Sequence, residues 1–167
     1  MLKNMDYRQV FIPEIRWSYK TIAVLLFLAV MPNVLGYFSF STPFGFNIHL
    51  FQYLIFLAAL LYGPAGGGIS GAAGSIYPAF ALHNPYIIIG NMILGIFVGL
   101  FSKKTSIFLA VLAAYAIQLP FLWITDVYLA GMPVNIVQVV VFVLLIENIL
   151  SAAAAKLTYK KAKELIA

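Results

Sequence analysis

Three observations predict an all-α integral membrane protein, built as a compact bundle of six transmembrane helices. Of the 167 residues, 63% are hydrophobic and only 9% are charged, which is more apolar surface than a soluble domain of this size can bury in one core. Apolar runs of membrane-spanning length recur along the chain. All ten lysines and arginines fall in segments that would lie on one side of such a bundle.

The apolar runs predict spans at 21–40, 48–62, 65–82, 86–101, 106–124 and 134–155. The runs 48–62 and 86–101 are short, so fewer, tilted or re-entrant helices are an alternative for this part of the chain. Residues 1–20 predict a cytoplasmic segment at the lipid interface, or else a poorly ordered tail. Residues 21–158 would then form the six-helix transmembrane domain, in which any substrate-binding site must be sought, and residues 159–167 a basic cytoplasmic tail.

The basic residues favour six spans. Four precede the first span, Lys103 and Lys104 separate the fourth from the fifth, and four follow the sixth. By the positive-inside rule, that side is the cytoplasm and both termini lie inside. The basic isoelectric point is therefore explained by topology, and we expect no nucleic-acid partner.

Small residues at intervals of four predict a helix-packing seam. Gly63, Gly67 and Gly71 would form an almost bare ridge on one helix, and Gly95 and Gly99 repeat the spacing in the fourth span. Such a ridge lets backbones approach closely, which is a main cause of helix association in lipid.

Polar side chains in the predicted spans gather toward the outer ends, which predicts a pocket that opens outward. His49, Gln52 and Tyr53 share one helical face because they lie at positions i, i+3 and i+4. The alternative is that the amides only link helices and that His49 lies among lipid headgroups. The candidate substrate-binding residues are Asn47, His49, Gln52, Tyr53, Ser75, Tyr77, Asn91, Gln118, Trp123, Asn135, Gln138 and Asn148.

Glu147 would lie near the midplane of the membrane, where a carboxylate is a functional candidate by default. On a helical wheel it points away from Gln138, since nine residues at about 100° each make two and a half turns. By that reasoning Asn148 is the better pocket residue. Glu147 is expected to pair with another helix or to stay protonated.

The composition excludes several kinds of chemistry. The chain has no cysteine, and it lacks the sequence motifs of serine hydrolases, zinc proteases and phosphate-binding loops. We expect no enzyme, no cofactor and no metal site. No lysine or arginine lies on the predicted outer side, so an anionic ligand would depend on histidines, helix N-termini or backbone amides. This favours a neutral or cationic ring compound.

Two segments carry a resemblance to a known family: "FGFNIHLFQYLIFLAALLYGPAGGGISGAAGSIYPAF" and "NPYIIIGNMILGIFVGLFSKK". They resemble the substrate-binding S components of energy-coupling factor (ECF) transporters. Shared features are a Gly-Pro turn at Gly63-Pro64, a Gly/Ala-rich helix, an outer loop with Pro85, and a Gly-rich helix ending at Lys103-Lys104. The final "ENILSAAAAKLTYKKAKEL" is similar to the family's last helix with its basic tail.

The resemblance implies uptake of a vitamin-like small molecule across the cell membrane of a prokaryote. Its partners would be a transmembrane T component and two ABC-type ATPases. The family's first-helix Ala-x-x-x-Ala is replaced by Ala23 and Ala29, six residues apart, so the docking face for the T component stays open. Metal uptake is not expected, because the N-terminal histidine of the nickel and cobalt relatives is missing after Met1. The alternatives are a proton-coupled carrier that uses Glu147, and a membrane scaffold of similar helical plan.

Overall fold

The structure is a computed structural model that describes residues 18–38, 40–41 and 47–166. Its helices are α1 (Tyr19–Tyr37), α2 (Gln52–Ala73), α3 (Ile76–Ala81), α4 (Tyr86–Phe101), α5 (Ile107–Ile124), a π-helical turn (Thr125–Leu129) and α6 (Val134–Ile166). Two short antiparallel strands, β1 (Phe40–Ser41) and β2 (Asn47–Ile48), pair within the α1–α2 connection. Within these ranges, four helices are long and apolar enough to cross a membrane, and α4 is a shorter apolar helix. Most of the interfacial segment predicted at 1–20 lies outside the described residues.

The predicted second and third spans join in α2, which changes direction at Gly63. This glycine has φ 65° and ψ −157°, a conformation that side chains with a Cβ rarely adopt. A Cβ built on Gly67 would lie 2.9 Å from the Cβ of Ala59, whereas eight residues of straight helix span about 12 Å. The chain therefore folds back at Gly63, and α2 consists of a first half, 52–62, and a second half, 64–73.

Several predicted spans differ from the observed helices. Helix α1 ends at Tyr37 and α2 begins at Gln52, so the spans predicted at 21–40 and 48–62 are shorter in the structure. His49 therefore lies before α2 and does not share a helical face with Gln52 and Tyr53.

The span predicted at 65–82 is interrupted between Ala73 and Ile76. The last helix continues to Ile166 and is 33 residues long, so the segment predicted as a basic tail is helical. At about 50 Å, this helix is longer than the roughly 30 Å hydrocarbon layer of a bilayer, and part of it must extend beyond the layer.

The second half of α2 packs antiparallel against α4 along the predicted glycine ridge. The facing pairs are Gly63 with Gly99, Gly67 with Gly95, and Gly71 with Asn91. A Cβ built on Gly71 would lie 2.7 Å from the backbone carbonyl carbon of Asn91, well inside the normal separation of about 3.5–4.0 Å. The packing seam predicted from the glycine spacing is thus present in the structure.

Helix α1 is attached to the second half of α2 by side chains that bond to backbone. The Ser70 hydroxyl donates to the carbonyl of Leu28 at 2.6 Å, and the Asn33 amide donates to the carbonyl of Ala73 at 2.9 Å. Such bonds link helices in a bilayer, where water cannot satisfy a polar group. Together with the glycine seam, they place the second half of α2 between α1 and α4.

The described lysines gather at one end of the bundle, called here the basic end. The Tyr62 hydroxyl, at the turn of α2, donates to the carbonyl of Thr21 at 2.8 Å, next to Lys20. The glycine of the same turn would place a Cβ 3.8 Å from Cε of Lys103. The ammonium of Lys156 lies 5.4 Å from the ring centre of Phe108, near the start of α5. The first half of α2 and helix α6 therefore both run toward the basic end.

Candidate functional site

A carboxylate from α6 binds the start of α2. Glu147 is only 3% exposed, and its Oε1 accepts a hydrogen bond of 2.6 Å from the backbone N–H of His49. The Nδ1 atom of His49 lies 3.5 Å from the same oxygen. These two contacts attach α6 to the residues that lead into α2.

Glu147 is buried because of its position on α6. The inward side of this helix passes through Glu147, Ser151 and Ala155, which are four residues apart and buried. Asn148 and Ala152 lie on the same side and are also buried. Small residues on this face let the first half of α2 approach α6 closely, while the polar residues are carried into the interior with them.

Three buried polar side chains of α2 and α6 have no hydrogen-bond partner within 18–38, 40–41 and 47–166. Gln52 and Ser151 are 0% exposed and Asn148 is 1% exposed. Among the described residues, neither amide atom of Gln52 or Asn148 has a hydrogen-bond partner, nor does the hydroxyl of Ser151. A buried polar group left unsatisfied costs about 1–3 kcal/mol, so these side chains work against the stability of the ligand-free fold.

These residues lie close, along the chain, to the contact between His49 and Glu147. Both elements run from this contact toward the basic end. Gln52 is the first residue of α2, three residues beyond His49, and Ser151 is four residues, or about 6 Å of helix, beyond Glu147. We call His49, Gln52, Glu147, Asn148 and Ser151 the polar cluster.

A ligand site needs a few polar groups that converge within apolar walls. The first half of α2 supplies such walls, because Ile55, Phe56 and Ala58 are 0% exposed. The polar cluster supplies a carboxylate, two amides and a hydroxyl. Groups of these kinds bind small polar molecules through several hydrogen bonds at once, which makes the polar cluster a candidate site.

No protein-family model matches the sequence, and no curated protein matches it. A solved structure described as the S component of a bacterial ECF transporter matches with a TM-score of 0.66. The match covers 87% of this chain and 96% of that chain, at 19% sequence identity. This chain has the S-component fold. At this identity the likeness establishes the fold alone, and it confirms the resemblance noted in the glycine-rich segments.

Within the S-component fold, the predicted residues of α4 and α5 are buried but lie outside the polar cluster. Asn91 is 6% exposed and Gln118 is 4% exposed. The Gln118 amide nitrogen would lie 3.3 Å from a Cβ built on Gly90, so Gln118 packs against α4. Trp123, one turn further along α5, is half-buried.

Other predicted residues are scattered. Ser75 is 0% exposed at the break between α2 and α3, and among the described residues its hydroxyl has no hydrogen-bond partner. Tyr77 is exposed, and its backbone N–H donates to the Asn33 side chain at 2.8 Å. Tyr53 is partly buried against the hydrophobic core. Asn47 lies in β2.

The inward face of α6 corrects the sequence interpretation. Asn135 and Gln138 are exposed, whereas Val137, between them, is 0% exposed. The wheel geometry that sets Glu147 opposite Gln138 therefore places Glu147 inside the bundle and Gln138 outside it. Asn148 is buried, and it shares the inward face with Glu147 rather than with the exposed Gln138.

Sequence reasoning missed two features of the site. Ser151 is absent from the predicted pocket residues, although it lies four residues after Glu147 in "ENILSAAAA", where the run of small residues indicates close packing. The helical wheel sets Glu147 apart from the predicted pocket, whereas in the structure it is buried and contacts His49.

A second buried polar pair, between α4 and α5, is bonded. The Asn84 amide donates to Oδ1 of Asp126 at 2.7 Å, and the Asn84 side-chain oxygen accepts from the N–H of Tyr86 at 3.1 Å. The backbone carbonyl of Asp126 accepts from the N–H of Met132 at 2.8 Å. These bonds fasten the start of α4 to the end of α5, so the pair is a structural contact.

An apolar groove of about 410 Å³ lies on the surface of α2 and α4. Its lining residues are Pro64, Ala65, Gly68, Ile69, Ala72, Met92 and Ile96. These side chains offer no hydrogen-bonding groups to a polar ligand, so the polar cluster is the better candidate for a small-molecule site.

Proposed function

We propose that the protein is the S component of an ECF transporter, and that it binds a vitamin-like small molecule at the polar cluster. The observation that carries the proposal is a set of buried side chains close to Glu147 that have no hydrogen-bond partner in the part of the chain that the structure describes, within an S-component fold. Hydrogen bonds to a ligand would satisfy these groups. A T component and two ABC-type ATPases would supply the energy for uptake.

The proposed topology has six crossings of a prokaryotic cell membrane, with the basic end and both termini in the cytoplasm. The second half of α2 and α3 together form one crossing. The first half of α2 is only about 16 Å long, too short to span the hydrocarbon layer unaided. It is surrounded by protein, which satisfies the rule that irregular backbone is tolerated at membrane depth only away from lipid.

The short first half of α2 also sets the depth of the proposed site. Because Glu147 lies about 20 Å along α6 from its first residue, the residues that lead into α2 reach well into the bundle. A ligand arriving from outside would approach the polar cluster past this connection. The first half of α2 would block movement of the bound ligand from the polar cluster toward the basic end.

Binding can be tested by comparing the wild-type protein with matched alanine variants, all purified in detergent. Gln52→Ala and Asn148→Ala each remove side-chain hydrogen bonds worth about 1 kcal/mol, which is about a fivefold loss of affinity. Asn135→Ala is the matched control, because the same side chain is removed from an exposed position on the same helix. Dissociation constants from calorimetry measure the effect. Equal affinities for all four proteins would contradict the site.

The buried carboxylate also supports a second candidate function, a self-sufficient proton-coupled carrier. Uptake by liposomes that contain this chain alone, abolished by Glu147→Gln, would establish that function. Uptake that needs a T component and the ATPases would establish the first. A membrane scaffold would bind protein partners and no small molecule.

A further inference from the structure

The charge of the polar cluster restricts which molecules it can hold. Among the described residues, the groups within ion-pair or hydrogen-bond distance of the Glu147 carboxylate belong to His49. The backbone N–H of His49 is neutral, and its imidazole carries a charge only when protonated. A buried carboxylate with so little compensation is costly, since taking a charge out of water is repaid only by close opposite charge and good hydrogen bonds.

The described cations lie elsewhere. Lys20, Lys103 and Lys156 mark the basic end. Lys104 adjoins Lys103, and the other described lysines follow Lys156 on α6. The other members, Gln52, Asn148 and Ser151, are uncharged. The cluster therefore carries a net negative charge when Glu147 is ionised and His49 is neutral. An anionic ligand placed beside Glu147 would meet a like charge in a low-dielectric interior, where repulsion is strong.

The neutral members of the cluster define the rest of the ligand. Gln52 and Asn148 each offer two N–H donors and a carbonyl acceptor, and Ser151 offers one donor and acceptor. These groups suit a ring whose edge carries both donors and acceptors. A charged nitrogen, or a pair of N–H groups as in an amidine, would complete the hydrogen bonds of the carboxylate.

We infer that the substrate is a small cationic heterocycle, and that Glu147 selects it by holding its charged nitrogen while the two amides and Ser151 bind its edge. The inference rests on the proposed function and names the substrate class of the same site. It excludes compounds whose bound portion carries a carboxylate or phosphate. Glu147 would be the residue that determines specificity.

The test ranks probe ligands by charge on the wild-type protein. The probes are thiamine as a cationic ring compound, riboflavin as a neutral one, and biotin and pantothenate as anions. Benzamidine, benzamide and benzoate repeat the charge series on one ring. Thermal stabilisation of the purified protein at equal probe concentrations gives the order, and calorimetry gives dissociation constants for those that bind. We expect the cation in each series to bind most tightly.

The same measurements on Glu147→Gln assign the selectivity to the carboxylate. Glutamine keeps the size and an acceptor for His49 but removes the charge, so affinity for a cation should fall about 10- to 100-fold, as expected for a hydrogen bond to a charged group. Glu164→Gln is the matched control, because Glu164 is exposed on the same helix and its replacement should change nothing.

A further variant provides a second measurement in case Glu147→Gln does not fold. His49→Ala keeps the backbone N–H that binds Glu147 and removes only the ring, so the preference for cations should persist. Tightest binding of a neutral or anionic probe would overturn the inference and leave the proposed function standing. Cation binding that is equal in wild type and Glu147→Gln would also overturn it. Failure of every probe to bind, with no small molecule retained after purification, would overturn the proposed function and the inference together.

Discussion

Replacing Gly71 by alanine should break the contact between α2 and α4. A Cβ at this position would lie 2.7 Å from the backbone carbon of Asn91 and 3.0 Å from Cα of Met92. Normal contacts are about 3.5–4.0 Å, so the helices would have to separate by about 1 Å. Both obstructing atoms are backbone, which cannot rotate away, and the separation would affect every rung of the seam.

The expected loss of stability in Gly71→Ala is the difference between two opposing effects. Overpacking of this kind costs about 1–3 kcal/mol, while replacing a helical glycine by alanine returns up to about 1 kcal/mol of helix propensity. The net loss should be about 1–2 kcal/mol, or a fall of about 2–8 °C in thermal midpoint for a chain of this size, taking soluble-protein values as the guide.

Gly68→Ala is the matched control, three residues away on the same helix. A Cβ there would meet the side chain of Ile96 at 2.8 Å, and a flexible side chain can move aside. This variant should be neutral or slightly stabilised. The thermal midpoints of both variants test the predicted backbone contact. They are measured by the loss of monodisperse protein on gel filtration after heating. Equal midpoints for Gly68→Ala and Gly71→Ala would refute the backbone contact.

Two further predictions concern single groups. Tyr62→Phe removes the hydrogen bond to the carbonyl of Thr21 and should lower the free energy of unfolding by about 1 kcal/mol, seen as a lower midpoint; an unchanged midpoint would mean that this bond contributes nothing. Ser151→Ala removes a buried hydroxyl without a partner among the described residues, so the ligand-free protein should become more stable by up to about 1–3 kcal/mol while its affinity for ligand falls. Destabilisation without a change in affinity would show that Ser151 is only a packing residue.

The helix seam could be predicted from the sequence because glycines at intervals of four have a direct geometric meaning. The contact between Gly67 and Gly95 can be anticipated without knowing any side-chain interaction, since the absence of a side chain by itself permits two backbones to approach closely. The turn at Gly63 was equally accessible, because a glycine followed by proline marks both a left-handed position and a helix start. Each pattern can be recognised within a single helix or turn, before the partner helix is known.

The inward face of α6 could not be predicted in the same way. A membrane helix is apolar on all sides, so hydrophobicity does not distinguish Val137 from its neighbours. The few polar residues were the only guide, and the exposed Gln138 pointed to the outward face. The partner of Glu147 was also inaccessible, because His49 lies 98 residues away along the chain and the two meet only through the packing of α2 on α6.

The most direct measurement is mass spectrometry of small molecules released from gently purified wild-type protein and from Asn148→Leu, prepared side by side. Leucine fills a similar volume without hydrogen-bonding groups, so the fold should survive and the ligand should be lost. The account predicts a compound in stoichiometric amount from wild type and almost none from the variant. The same amount from both proteins would contradict the placement of the site, and no compound from wild type, even after incubation with a panel of vitamins, would contradict the binding function.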